Sequence, residues 1–156
     1  MNPTIATKLA DHGVSLLEQR PPRYRYVPFT RAGDILYFSG KTAMSDSVVR
    51  YPGRLGAEFS TEEGQAAARL CAVNLLSAIE AAIGLENVLS VLKLTGFVAS
   101  SPDFFEQASV IDAASVLIAD ILGQAGEHAR SAVGVAVLPG NSAVEIELVL
   151  RAAGAA

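Results

Sequence analysis

The spacing of hydrophobic positions changes several times along the chain, and each change marks an element. In residues 4–17, Ile5, Leu9, His12 and Leu16 fall near helical spacing, and the Pro21-Pro22 pair, which cannot continue a helix, closes the segment. This predicts a peripheral helix with a rigid proline-rich connector over residues 1–22, ahead of a single domain over residues 23–156. Residues 34–40 read as a strand, with the bulky run Ile35-Leu36-Tyr37-Phe38 set between Gly33 and Gly40. Residues 42–59 hold Pro52, Gly53 and Gly56 and little periodicity, which predicts a loop with one short strand.

Ser60-Thr61-Glu62-Glu63 has the form of a capping box. Ser60 can accept from the backbone N–H of Glu63 while the Glu63 side chain reaches back, opening a helix that should run to Ile83. Its stripe of Ala67, Leu70, Cys71, Asn74, Leu75, Ala78, Ile79 and Ala82 faces a core, and Gly84 ends it. Residues 88–98 carry a strand. Ser101-Pro102-Asp103 then places a capping hydroxyl before a proline at the first helical position, predicting a second helix from there to Leu122.

Period-two alternation marks two C-terminal strands, residues 131–137 and 144–150. The first shows Val133, Val135 and Val137 on one face and Ala132, Gly134 and Ala136 on the other. The second sets Val144, Ile146, Leu148 and Leu150 against Glu145, Glu147 and Val149, and Leu138-Pro139-Gly140-Asn141 forms the turn between the two strands. Strands at both ends with two amphipathic helices between them, and no strict βαβ alternation, predict an α+β domain with the helices on one face of the sheet. The small, uncharged face of Ala132, Gly134 and Ala136 is then expected to pack against another subunit.

Composition adds boundaries. The 156 residues suit one domain, are 51% hydrophobic and only 18% charged, and have a mean hydropathy of +0.35; some apolar surface is expected to be covered by other chains. A net charge of −4 leaves no basic field for phosphates, so nucleic-acid binding is not expected. Cys71 excludes an internal disulfide and reads as core. The N-terminal segment is interrupted by Lys8, Asp11 and His12, so neither a signal peptide nor a membrane partner is expected, and the cytoplasm is the predicted compartment.

Dedicated chemical motifs are absent. There is no Walker loop or dinucleotide fingerprint, Gly123-Gln124-Ala125-Gly126 lacks the Lys and Ser/Thr of a phosphate loop, and His12 and His128 have no Cys or carboxylate at ligand spacing. No cofactor and no metal are expected. Arg130, Glu145, Tyr26 and His128 are the candidates for chemistry, and each has a structural alternative: Arg130 as an ion pair with Glu145 or Glu147, Glu145 as a solvated strand carboxylate, Tyr26 as surface packing, and His128 as a loop hydrogen-bonder.

The stretch Gly126-Glu127-His128-Ala129-Arg130-Ser131-Ala132-Val133, continuing through Leu138-Pro139 to Val144-Glu145-Ile146-Glu147, resembles the C-terminal signature of the Rid (YjgF-type, reactive intermediate deaminase) superfamily, often labelled endoribonuclease L-PSP. Upstream, Tyr26, Gly33-Asp34, the strand 35–38 and Ser39-Gly40 resemble the family's N-terminal pattern, so the resemblance spans residues 26–150 and leaves the first helix out. The Gly-x-His-Ala-Arg form resembles a less characterised branch. Ala132 stands where archetypal members carry Cys, and Tyr26 lacks their Gly-Pro-Tyr-Ser context.

The resemblance implies a chorismate-mutase-like mixed β-sheet with two main helices on one face, a homotrimer, and clefts between subunits. It implies hydrolysis of reactive 2-imino or enamine carboxylic acids to 2-keto acids and ammonia. In that reading Arg130 binds the substrate carboxylate, Glu145 positions water, Tyr26 lies at the cleft, and Ser39, Gly40, the backbone at Ala132 and the rim residue His128 surround the substrate. A small-carboxylate-binding regulatory module without chemistry, and an endoribonuclease or translation inhibitor, are the alternatives.

Overall fold

A computed structural model describes residues 1–154. The elements follow in order as α1 (Pro3–Asp11), β1 (Phe29–Ala32), β2 (Ile35–Thr42), β3 (Met44–Ser45), β4 (Val48–Val49), α2 (Thr61–Ile83), β5 (Val88–Ala99), α3 (Gln107–Leu122), β6 (Ala129–Val135) and β7 (Val144–Ala152). Five strands form one mixed sheet in the order β1-β2-β7-β5-β6, with β5 and β6 parallel and the other pairs antiparallel. The short β3 and β4 form a separate hairpin, where Asp46 and Ser47 both take positive φ, as a two-residue turn of this hand requires.

α2 begins at its capping box, with Ser60 accepting from the Glu63 N–H at 3.3 Å and the Glu63 carboxylate accepting from the Ser60 N–H at 2.8 Å. It ends at Gly84, whose φ of 78° disfavours a side chain. Ala67, Ala68, Cys71 and Ala72 let α2 approach the sheet closely, and Leu75, Leu76 and Ile79 fill the space beyond. Val110, Ile111, Leu117, Ile118 and Ile121 of α3 complete the same layer beside α2, over β5 and β6, while Val144, Ile146, Leu148 and Leu150 give β7 its buried face under α2. Each such side chain contributes roughly 1.5–3 kcal/mol on burial. By length and composition α2 and α3 are apolar enough to cross a membrane; here their apolar faces cover the sheet.

Several expectations need correction. The second helix begins at Gln107, not at Pro102, because the Ser101 N–H donates to the Leu55 carbonyl and Ser100 bridges Leu55, fixing this stretch against the preceding loop. The 138–141 turn joins β6 to β7 as expected, and β5 lies between the two strands in the sheet. The first helix stops at Asp11 and is less peripheral than its periodicity suggests: Leu9 is 4% exposed, Val14 joins the core, and Arg69 donates to the His12 carbonyl. Strand β1 carried no sequence signal of its own.

The small-residue face of β6 also lies elsewhere than expected. Ala132 packs against the core, and a Cβ on Gly134 would meet the Gln107 side chain of α3. The neighbouring Gly96 of β5 sits so close to Ile111 that a Cβ there would overlap it. These small residues admit α3, and no second subunit is needed to explain them. The open face of the sheet carries instead Tyr37, Glu145, Glu147, Val149, Lys93, Thr95, Phe97, Ser131 and Val133, in register across four strands.

Candidate functional site

The predicted residues form two separate groups. The first lies at the junction of β2 and β7. Between Phe38 and Lys41 the register advances three residues on β2 for two on β7, a bulge that holds Ser39 and Gly40 beside the acidic face of β7. Ser39 is committed to structure: its Oγ donates to the Val27 carbonyl at 2.7 Å, and its N–H donates to Pro28. These bonds tie the segment just ahead of β1, and with it Tyr26, to the bulge. The Tyr26 side chain is 54% exposed.

Glu145 alternates with buried Val144 and Ile146, so its carboxylate leaves the sheet on the open face, between Thr42 of β2 and Phe97 of β5. It lies directly over Gly40, in space a Cβ would occupy. Burial pushes its carboxyl above the usual carboxylate range, and the like charge of Glu147 on the same face pushes it further. Among the described residues no buried side-chain oxygen lacks a partner, and no cation or donor engages Glu145, so its oxygens face the solvent. A half-buried carboxylate of raised pKa, unpaired and reachable, suits acid/base work on a water.

The second group lies on the other side of the sheet, at the edge strand β6. Arg130 shares the face of Leu94 and turns toward α3. Its Nη1 donates to Asp112 Oδ1 at 2.9 Å and to Ser115 Oγ at 3.0 Å. Nε and Nη2 make no hydrogen bond within the described residues, which leaves one two-donor edge of the guanidinium for a carboxylate. His128 joins this group, with Nε2 2.9 Å from Ser115 Oγ and Nδ1 2.6 Å from the Gly126 carbonyl oxygen. The ion pair of Arg130 is therefore with Asp112, and neither Glu145 nor Glu147 takes part.

Within one chain the two groups do not meet. Arg130 and Glu145 are separated by β5 and project from opposite faces. Ala132 follows Arg130 on β6 and faces the core. Asp112 and Ser115 escaped the sequence reading; their three-residue spacing on the polar side of α3 was the available signal. Among the described residues no three His, Cys, Asp or Glu side chains cluster to hold a metal.

Residues 6–151 match the family described as "YjgF/chorismate_mutase-like, putative endoribonuclease". The match takes in most of the first helix, which the sequence resemblance had left out. The chain is 42% identical over 149 residues to Protein TCP17 of Trypanosoma cruzi, covering 94% of this chain and 93% of that protein. It is similar to the crystal structure of Atu1372, a protein of unknown function from Agrobacterium tumefaciens, at 43% identity and a TM-score of 0.89, over 96% of this chain and 93% of that one. The structure of a "putative endoribonuclease" from Shewanella oneidensis aligns at 29% identity and a TM-score of 0.90, over 94% of this chain and 98% of that one. Similarity to TCP17 and Atu1372 fits a less characterised branch, and the chain belongs to the YjgF/chorismate mutase-like family.

Proposed function

We propose that this protein hydrolyses reactive 2-imino carboxylic acids to 2-keto acids and ammonia, in clefts completed by neighbouring copies of the chain. The observation that carries the reading is the unpaired Glu145 carboxylate over Gly40, raised in pKa by its half-buried position. The free Nε and Nη2 of Arg130 supply the complementary grip for the substrate carboxylate. Because these groups project from opposite faces of one sheet, a second copy must bring its Arg130 edge to the first copy's Glu145 face. A homotrimer with three equivalent clefts meets that need. The open face, with Tyr37 51% and Val133 42% exposed, offers apolar surface for such an assembly.

The chemistry asks little beyond placement. Water adds to the electrophilic iminium carbon while Glu145 takes its proton, giving a tetrahedral carbinolamine. Glu145 returns that proton to the amine; the C–N bond breaks and ammonia leaves while the hydroxyl proton passes to the Glu145 carboxylate as the carbonyl forms, and ammonia carries that proton away as ammonium. Acid/base assistance of this kind is worth roughly 10²–10⁴-fold. Tyr26, tethered beside the bulge through Ser39, is the hydroxyl proposed to hold the water or the imine nitrogen. Ser39, Gly40, the backbone at Ala132 and the rim residue His128 line the remainder.

The test couples an amino-acid oxidase to semicarbazide trapping and compares imine lifetime with the wild type, Arg130→Ala and no protein. Faster imine loss that disappears in Arg130→Ala supports the reading. No acceleration by a folded oligomer overturns it and leaves a small-carboxylate-binding module. The endoribonuclease wording belongs to the family description and to the Shewanella protein; the pair Glu145 and Glu147 on the open face and a pI of 5.1 oppose phosphate binding. Salt-sensitive RNA binding would favour that activity instead.

A further inference from the structure

Arg130 is held by more than its ion pair. Asp112 and Ser115 stand three apart on α3, and His128, just ahead of β6, and Arg130, its second residue, stand two apart, so each pair projects toward the other. A carbonyl oxygen only accepts, so the His128 Nδ1 that lies 2.6 Å from the Gly126 oxygen carries the ring proton. With the proton on Nδ1 alone, Nε2 is a bare lone pair to which Ser115 Oγ, 2.9 Å away, donates its hydroxyl proton. With that proton committed, the Ser115 oxygen turns a lone pair to Arg130 Nη1 at 3.0 Å.

The start of this relay depends on a glycine. A Cβ on Gly126 would lie 2.6 Å from the Ile118 carbonyl oxygen and 2.8 Å from the Ala119 Cα, both backbone atoms of α3. Only glycine lets the chain pass close enough to the helix to set this carbonyl under His128. Asp112 alone is a poor tether, because its carboxylate is 61% exposed and water competes for it.

We infer that Ser115 and His128 are positioning residues: the relay from the Gly126 carbonyl through His128 and Ser115 fixes the plane of the Arg130 guanidinium, presenting Nε and Nη2 as an oriented fork to a substrate carboxylate. A planar fork grips a carboxylate with both donors in only a narrow range of orientations, so fixing its plane raises affinity without touching the reacting carbon. The inference rests on the carboxylate-binding reading of Arg130 given above.

The test uses the full-length protein with Ser115→Ala and His128→Ala, alongside Ser115→Thr and His128→Gln, which keep a hydroxyl and an acceptor. Losing a hydrogen bond to a charged group corresponds to about a tenfold change in affinity. In the oxidase-coupled assay, KM for the imino acid should therefore rise about tenfold in both alanine variants with little change in kcat, and the Thr and Gln variants should restore it. Pyruvate binding, followed by NMR titration, should weaken in parallel. A readout without ligand comes from the ¹⁵N-labelled Arg130 guanidinium: rotation about its Cζ–Nη1 bond should be slow in the wild type and fast in Ser115→Ala.

Unchanged rotation in both alanine variants, or a fall in kcat at constant KM, overturns the positioning role. If the wild type neither turns over imino acid nor binds pyruvate, the functional reading fails, and the rotation measurement still decides whether Ser115 and His128 fix Arg130.

Discussion

The carboxylate of Glu145 occupies the space that the Cβ of any residue other than glycine would need at position 40. Gly40 keeps a backbone conformation open to any residue, since it is absent from the positive-φ glycines. The obstacle to a larger residue there is thus the far end of a flexible side chain, which can swing away. Gly40→Ala should leave thermal stability nearly unchanged while displacing the carboxylate from its water. Imine hydrolysis should fall at least about tenfold, within the range a general acid/base supplies. Paired melting and oxidase-coupled assays check this, and a large loss of stability would place the cost in the backbone instead.

Glu145→Gln separates stability from activity. The folded-state pKa of Glu145 lies above its ordinary value of 4.5, so the native state holds the proton more tightly than the unfolded chain does. Its favourable contribution is fully present below pH 4.5 and is lost as pH rises through the raised folded value. At neutral pH the charged, half-buried carboxylate therefore opposes folding. Glu145→Gln should be the more stable protein at pH 7 in urea titrations, the advantage should vanish below pH 4.5, and turnover should be lost at every pH.

The closeness of α3 to the sheet is tested at Gly96. A Cβ there overlaps Ile111, a fully buried side chain with no room to retreat. Gly96→Ala should destabilise the protein by about 1–3 kcal/mol, the usual cost of overpacking. Because α3 carries Asp112 and Ser115, KM should rise as well if the helix shifts. Chemical denaturation gives the first quantity and the coupled assay the second.

Leu9 tests whether the N-terminal helix belongs to the folded core. It is 4% exposed and lies in the core with Val14. Leu9→Ala should cost about 2–3 kcal/mol in denaturant unfolding. A negligible cost would return α1 to the peripheral role its sequence suggests.

What the sequence made legible was local. The capping box at Ser60 and Glu63 located α2 because both partners of that motif lie within four residues. Ser101 looked like an equally good cap, yet its backbone is bound by Leu55, nearly fifty positions earlier, and no local pattern records such a partner. Alternation in β6 separated its two faces correctly but could not tell which one meets the helices, because valines line one side and small residues the other and both are apolar. The order of strands was equally hidden, since β6 and β7 adjoin in sequence while β5 comes between them in space.

The candidate site was legible as residue types and illegible as geometry. Arg130, Glu145, Tyr26 and the Ser39-Gly40 pair stood out by resemblance, but that Arg130 leans on Asp112 and Ser115 depends on the packing of α3 beside β6. The bulge that brings Gly40 to Glu145 is a single extra residue in β2, invisible without its partner strand.

Opposite faces for Arg130 and Glu145 have a genetic consequence. In the assembly proposed above, each cleft takes its arginine from one copy and its glutamate from the next. Chains carrying Arg130→Ala and chains carrying Glu145→Gln are each inactive alone, yet when co-expressed in equal amounts about one cleft in four draws both intact residues. Two inactive alleles would then complement one another in a single cell, whereas a cleft that drew both residues from one copy would recover nothing.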